Sequence, residues 1–227
     1  MSSDLFVKIR ADDLAEKVYE RLKKAITMSV IKPGERIDMN LLSVQWGVSH
    51  TPMKNAIAKL SNEGLVEVRS KVGTYATRFT EADMLELFDI RLLLEGGSCA
   101  EIVRHATEEQ IAELERTQTL LEDELGKAKN EFDFFVFNHL DAAFHEQVVE
   151  ASGNKKLQSV YRSLNFHTQV ARYYYNRYEE RGERTIREHR EMIEALRHKS
   201  AEKLEQVCKQ HIIWGKEKLL EFREKKK

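Results

Sequence analysis

Past Phe79, apolar residues recur three and four positions apart almost to the end of the chain, punctuated by Gly153-Asn154, Gly182 and Ser200. Such spacing gathers apolar side chains on one face of a helix. A helix that is apolar on one face must bury that face against another element. Several of them joined by short connections therefore predict an antiparallel helical bundle. The first segment begins at Thr80 with Met84, Leu87, Ile90, Leu93 and Leu94 on its apolar side, breaks at Gly96-Gly97 and resumes through Val103. Thr107 with Gln110 carries the signature of a capping box and opens a helix to about Leu125. Further helices are expected at 131–151, 154–178, 185–198 and 200–222, with Asn154 as a cap.

The chain before this region reads differently. Leu14, Val18, Leu22 and Ile26, extended by Ala15 and Ala25, form one face of a helix over Asp12 to Met28. Pro33-Gly34 then turns the chain. Asp38 is placed to cap a short helix directing Leu41, Leu42 and Trp46 inward as far as Gly47. Ser49 is placed to cap a third helix, with Pro52 in its first turn, where a missing N–H removes no internal bond. Met53, Ile57 and Leu60 would pack inward, leaving His50, Thr51, Lys54 and Asn55 outside near the helix N-terminus, the end that a recognition helix presents to base edges. After Gly64, the β-prone runs Leu65–Arg69 and Thr74–Arg78 predict a two-stranded wing with Lys71 at its tip. The fold class is therefore mainly α: a winged helix-turn-helix with a small β-hairpin over 1–78, then an all-α antiparallel bundle over 79–227.

Charge separates along the same line. The net charge is −1, but residues 1–78 carry +4 and the remainder −5. A basic small domain beside an acidic larger one fits a chain in which only the first part meets phosphate. Hydrophobic residues at 41% and charged residues at 33%, with only 2 Pro, argue against disorder. Cys99 and Cys208 lack a CxxC spacing, the start has no apolar signal core, and no run approaches the roughly 20 apolar residues of a membrane span. A cytoplasmic protein that does not engage membranes is the expectation.

Asp141 and His145 are one helical turn apart in an apolar segment, with Cβ atoms about 6 Å apart, so both can reach one ion. His189 and His211 occur singly on two later helical segments, and a bundle can bring both imidazoles to that ion. Three neutral nitrogens and one carboxylate suit a borderline divalent ion such as Zn²⁺, Ni²⁺, Fe²⁺ or Mn²⁺, with Zn²⁺ the expected occupant of a purified sample. Open coordination positions could accept a carboxylate ligand. Phe144, beside the pair, would lock that face into the core.

The stretch Val18 to Thr77, with KPGERI, GVSHTPMKNAI, EGLVE and VGTY, resembles the winged helix-turn-helix of the GntR family of bacterial transcription regulators. Residues 84–216 are similar to the FCD effector-binding domain of the FadR subgroup through FDIRLLLE at 88–95, DAAFHEQVVEASGN at 141–154, EHREMIEAL at 188–196 and the final QH at 210–211. The resemblance implies a two-fold dimer on a palindromic double-stranded DNA operator, with Arg36, His50, Thr51, Lys54 and Gly73 as candidate contacts, joined by Lys71 of the wing tip. The family commonly has Arg where this chain has His50 and Lys54, and Glu where it has Asn55. Arg grips guanine as a fork and Lys is a point charge, so the usual operator is not expected to carry over. The resemblance also implies that Asp141, His145, His189 and His211 hold the metal, and that Arg91 grips the carboxylate of a small organic acid effector. A buried structural pair between Arg91 and an acid is the alternative. His167 and Tyr173, Tyr174 and Tyr175 are candidates for lining a cavity, or for core.

The function expected is a ligand-responsive, homodimeric transcription regulator, commonly a repressor, and not an enzyme. The residues also leave open a metal-dependent hydrolase or other metalloenzyme, since such a site can activate water. Against it, no further Glu, His or Ser motif stands out as a general base. A constitutive DNA binder with a purely structural metal is a third possibility.

Overall fold

A computed structural model describes residues 12–28, 30–78, 80–128, 131–164 and 182–224. The chain divides into two units, Met1–Phe79 and Thr80–Lys227. In the first, α1 (Asp12–Thr27) packs on α3 (His50–Asn62). Burial of Val18, Leu22 and Ile26 on one helix and Met53, Ala56, Ile57 and Leu60 on the other makes their core. Polar side chains brace the edge of this contact: Tyr19 donates from its hydroxyl to Glu63, and Lys59 Nζ lies 2.8 Å from Glu16.

Between these helices the chain turns at Gly34, whose φ of 75° lies in the left-handed region that favours glycine. Asp38 caps α2 (Met39–Trp46) by accepting from the Asn40 and Leu41 amides. The inward set of α2 differs from the sequence expectation. Leu41 is 53% exposed, Leu42 and Trp46 are half-buried, and Ser43 is the buried position. A helix of two turns packed along one side has room for a single inward row, and here that row passes through Ser43. Ser49 stands at the N-cap of α3 but makes no side-chain capping bond.

Strands β1 (Val66–Arg69) and β2 (Gly73–Ala76) pair antiparallel, with Val66 opposite Ala76 and Arg69 opposite Gly73. The turn segment leaving α1 runs along the free edge of β2. The Gly34 amide donates to Ala76 O, Ala76 to Glu35 O, and Ile37 to Thr74 O, at 2.8–2.9 Å. The wing is thus stitched to the body of the domain by backbone bonds that satisfy its outer edge.

In the second unit, Thr80 and Asp83 form a capping box at the start of α4 (Glu81–Arg91). The helix continues through a π-helical turn, Leu92–Gly96, into α5 (Gly97–His105). The expected break at Gly96-Gly97 is therefore a widened turn that keeps the axis going. The expected apolar side is also corrected: Leu93 is 74% exposed and Ile90 38%, while Met84, Phe88, Arg91 and Glu95 are buried. The inward line of this helix carries an ion pair, which an apolar periodicity does not register.

Then come α6 (Glu108–Leu125), α7 (Phe134–Glu150), α8 (155–164), α9 (Gly182–Arg197) and α10 (Ala201–Glu224). Helix α6 packs on α7 and α9, and α10 lies against α9, α5 and α4. One apolar core, including Ile102, Leu114, Leu121, Phe144, Val148, Met192 and Val207, fills the space between them. Asn154 caps α8 by accepting from the Lys156 and Leu157 amides. At α6, Thr107 Oγ1 accepts from the Gln110 amide and Gln110 Oε1 accepts from the Thr107 amide. Thr107→Ala removes one half of this box and is expected to lower stability by about 1 kcal/mol in a urea titration. The expected helix over 154–178 is described only to residue 164, and His167, Tyr173, Tyr174 and Tyr175 lie outside the described residues.

Candidate metal centre

Three helices bring four polar side chains into the core of the second unit. Asp141 and His145 come from α7, His189 from α9 and His211 from α10, and all four are buried. One donor atom from each can be chosen so that all lie within 4.8 Å of one another. His145 Nε2 is 3.1 Å from His211 Nε2 and 3.4 Å from His189 Nε2. Asp141 Oδ1 is 3.5 Å from His189 Nε2 and 4.0 Å from His145 Nε2. Phe144 stacks on His189 with ring centroids 3.9 Å apart and an interplanar angle of 4°, which fixes that ring.

The orientation of two imidazoles follows from carboxylates behind them. His145 Nδ1 donates to Glu95 Oε2 at 2.8 Å, and His211 Nδ1 donates to Glu188 Oε2 at 2.8 Å. An ionised carboxylate only accepts, so each Nδ1 carries the proton and each Nε2 presents a lone pair. Burial alone would raise the pKa of Glu95. The charge of Arg91 and the hydrogen bonds from Arg91 and His145 outweigh it and hold the carboxyl well below its usual range. Glu188 is likewise lowered against its burial, by the hydrogen bond from His211 and by Arg184. Burial lowers His145 and takes His211 down to about 4, so both rings are neutral at neutral pH.

Two neutral Nε2 atoms thus face each other at 3.1 Å with no proton between them. Opposed lone pairs repel, and a cation between them turns that repulsion into two bonds. With metal–nitrogen bonds of about 2.0–2.1 Å, neighbouring nitrogens of one ion lie roughly 3.0–3.4 Å apart. The donor set and its spacing therefore fit a divalent metal.

Arg91, at 2% exposure, donates from Nε to Glu95 Oε1 at 2.6 Å, and the Tyr161 hydroxyl donates to the same oxygen at 2.8 Å. Its Nη2 is buried with no hydrogen-bond partner among the described residues. The structural pair weighed from the sequence is present, and one face of the guanidinium is left over. Sequence reasoning missed Glu95, Glu188 and Tyr161. The signals were there in Glu95, four residues after Arg91, and in Glu188, immediately before His189. A glutamate on a helix reads as a solvated residue until its partners are known.

In the first unit, His50, Thr51, Lys54 and Asn55 are exposed on α3, as are Arg36 and Lys71. Lys71 has φ 60° in the turn between the strands. Gly73 has φ 148°, and an added Cβ would come 3.1 Å from Arg36 Nε, so the Arg36 side chain lies against β2 at the turn end of the wing.

An exposed helix of a helix-turn-helix, a tethered wing and a separate helical unit with a buried polar centre define a DNA-binding transcription regulator of two domains. The comparisons agree. The model of the bacterial regulatory proteins of the gntR family matches residues 14–76, and that of the FCD domain matches residues 86–213. The chain belongs to the GntR family of bacterial transcription regulators, with an FCD domain following its winged helix. It is 29% identical to the uncharacterized HTH-type transcriptional regulator YdhC of Bacillus subtilis over 86% of this chain and 84% of that protein. It is 24% identical to the HTH-type transcriptional repressor RspR of Escherichia coli over 87% of this chain and 85% of that protein. Among solved structures, E. coli McbR/YncC shares the fold with a TM-score of 0.75 at 20% identity, over 92% of this chain and 97% of that one. The family and these relatives are regulators and not enzymes. Regulators of this family bind operator DNA, usually as dimers, and FCD domains bind metals in some members. Among the described residues, no helix is long and apolar enough to cross a membrane.

Proposed function

We propose that this regulator senses a small organic acid through a divalent metal held by Asp141, His145, His189 and His211, and acts as a homodimeric repressor at a palindromic operator. The reading rests above all on the 3.1 Å approach of two Nε2 lone pairs whose tautomers are set by Glu95 and Glu188. The ion supplies a positive centre with room for an anionic ligand. The four residues hold it, Phe144 keeps His189 in place, and the unused Nη2 of Arg91 offers a second grip on a carboxylate. Four protein donors complete a tetrahedral ion but leave two positions on a six-coordinate one. Binding of an effector carboxylate accordingly favours Ni²⁺, Fe²⁺ or Mn²⁺, or a Zn²⁺ that expands its shell.

Exposure of Arg36, His50, Thr51 and Lys54, with Lys71 and Gly73 at the wing, supports their assignment as DNA contacts. Lys54→Ala is expected to weaken operator binding more than random-DNA binding in mobility-shift assays. Equal losses on both would reduce Lys54 to a phosphate contact. The sensing itself is tested by thermal shift with a panel of carboxylates, with and without chelator, followed by operator titration. A carboxylate that stabilises the protein only with metal present, and changes operator affinity about 5- to 150-fold, is the expected result. Stabilisation that ignores the chelator would refute metal-borne recognition.

A further inference from the structure

The helical run from α4 to α5 presents an exposed stripe that nothing among the described residues of its own unit covers. Along it lie Glu86, Ile90, Leu93, Gly97, Ala100 and Arg104, spaced three and four residues apart and all exposed. Leu93 is 74% exposed and Ile90 38%. Their neighbours on the inward side, Arg91 and Glu95, are occupied at the candidate centre, so the stripe is the opposite side of the same helix. Helix α10 extends the apolar area. It runs antiparallel beside this helix, with Lys209 against Gly96 and Lys216 bonded to Asp89, and Ile213, 42% exposed, lies between those two points. An apolar strip with charges only at its ends is the pattern of an interface centre with a polar rim.

The order of residues along the stripe selects its occupant. An acidic end, Glu86, is followed by two large apolar residues, then two small ones, then a basic end, Arg104. A Cβ built on Gly97 would meet nothing within 4 Å, so the space above it is open. Reversing the stripe about a two-fold axis between Leu93 and Gly97 sets large against small and acid against base at every step. Leu93 meets the partner subunit's Gly97, Ile90 the partner subunit's Ala100, and Glu86 the partner subunit's Arg104. A parallel arrangement would instead stack Leu93 on its own copy, leave a void at Gly97 and oppose like charges. Self-complementarity under a two-fold rotation is what an isologous interface requires.

We propose that the stripe Glu86, Ile90, Leu93, Gly97, Ala100 and Arg104 packs antiparallel against the same stripe of a second copy of this chain, forming the dimer contact of the helical domains. The inference rests on the homodimeric reading above and specifies the face and register that carry it. Leu93 is the central anchor, and Gly97 is the position that admits it.

Sedimentation velocity on the full chain over a concentration series tests this. The native protein is expected to be dimeric, and Leu93→Glu to raise the dimer dissociation constant about 30-fold or more, with unchanged circular dichroism and metal content. Gly97→Leu, which fills the space meant for Leu93, is expected to act in the same direction. Arg104→Glu should weaken the dimer at low salt, and the pair Glu86→Arg with Arg104→Glu should restore it. A native dimer indifferent to Leu93→Glu and Gly97→Leu overturns the face while leaving the homodimer standing. Failure of the paired charge swap to restore association overturns the antiparallel register. A native chain that stays monomeric, alone and on operator DNA, overturns the inference together with the dimeric reading beneath it.

Discussion

Replacing His145 and His189 together by Ala is expected to take the metal content from about one ion per chain to a background level by elemental analysis. The two residues sit on different helices and supply two of the three facing nitrogens, so only Asp141 and His211 of the candidate set are left, fewer than the three or four protein donors that hold a divalent ion of this kind. The thermal consequence follows from linkage. Free metal at a hundred times its dissociation constant stabilises the native state by about 2.7 kcal/mol. That amounts to roughly 5–10 °C in the melting temperature of a domain of this size. Chelator should therefore lower the native midpoint by that amount and leave the double variant where it is. A double variant that retains stoichiometric metal would remove this site from the account.

Glu95→Gln is expected to destabilise the helical domain by about 3–5 kcal/mol, because it withdraws the carboxylate from a guanidinium that is 2% exposed. Glu95 accepts from Arg91, Tyr161 and His145, and among the described residues it is the carboxylate bonded to Arg91. The amide accepts on one side only, so His145 also loses its certain acceptor. Metal affinity should fall about 10- to 100-fold as the ring is freed to turn or change tautomer. Urea unfolding in a Trp46→Phe background, where Trp214 reports the helical unit alone, measures the first effect, and competitive metal titration the second. A loss below about 1 kcal/mol would mean that the buried guanidinium finds its compensation elsewhere.

The helix-turn-helix and the shared face of Asp141 and His145 were legible in the sequence because each depends on a local pattern, whereas His189 and His211 joined the candidate set through the family resemblance. Asp141 and His145 share a face by their spacing, Asp38 caps by its type, and Pro33-Gly34 can only turn. Thr107 and Gln110 marked their helix start for the same reason. What could not be read depends on neighbours far along the chain. Leu93 looked like core because its helix is apolar, but the buried line of that helix was given to Arg91 and Glu95, whose partners lie on α7 and α8. Glu188 adjoins His189 in the sequence, but its partner His211 is brought against it only by α10. Leu41 was expected inside and is outside because a short helix buries the row its neighbours permit.

The widened turn at Leu92–Gly96 has a consequence for how this helix could have arisen and how it can be edited. A turn of this kind holds one more residue than the regular helix around it. It resets the rotational phase between Met84, Phe88 and Arg91 upstream and Cys99 and Ile102 downstream, with Glu95 in the turn itself, so a polar row and an apolar row both face inward in a single uninterrupted rod. Excising one residue from 92–96 would let four residues, at about 100° each, cover roughly the arc that five now cover, so the Cys99 and Ile102 wall beyond would keep its facing. The Arg91–Glu95 pair spans this turn and would lose its present spacing. Length at this point therefore governs the ion pair rather than the apolar wall.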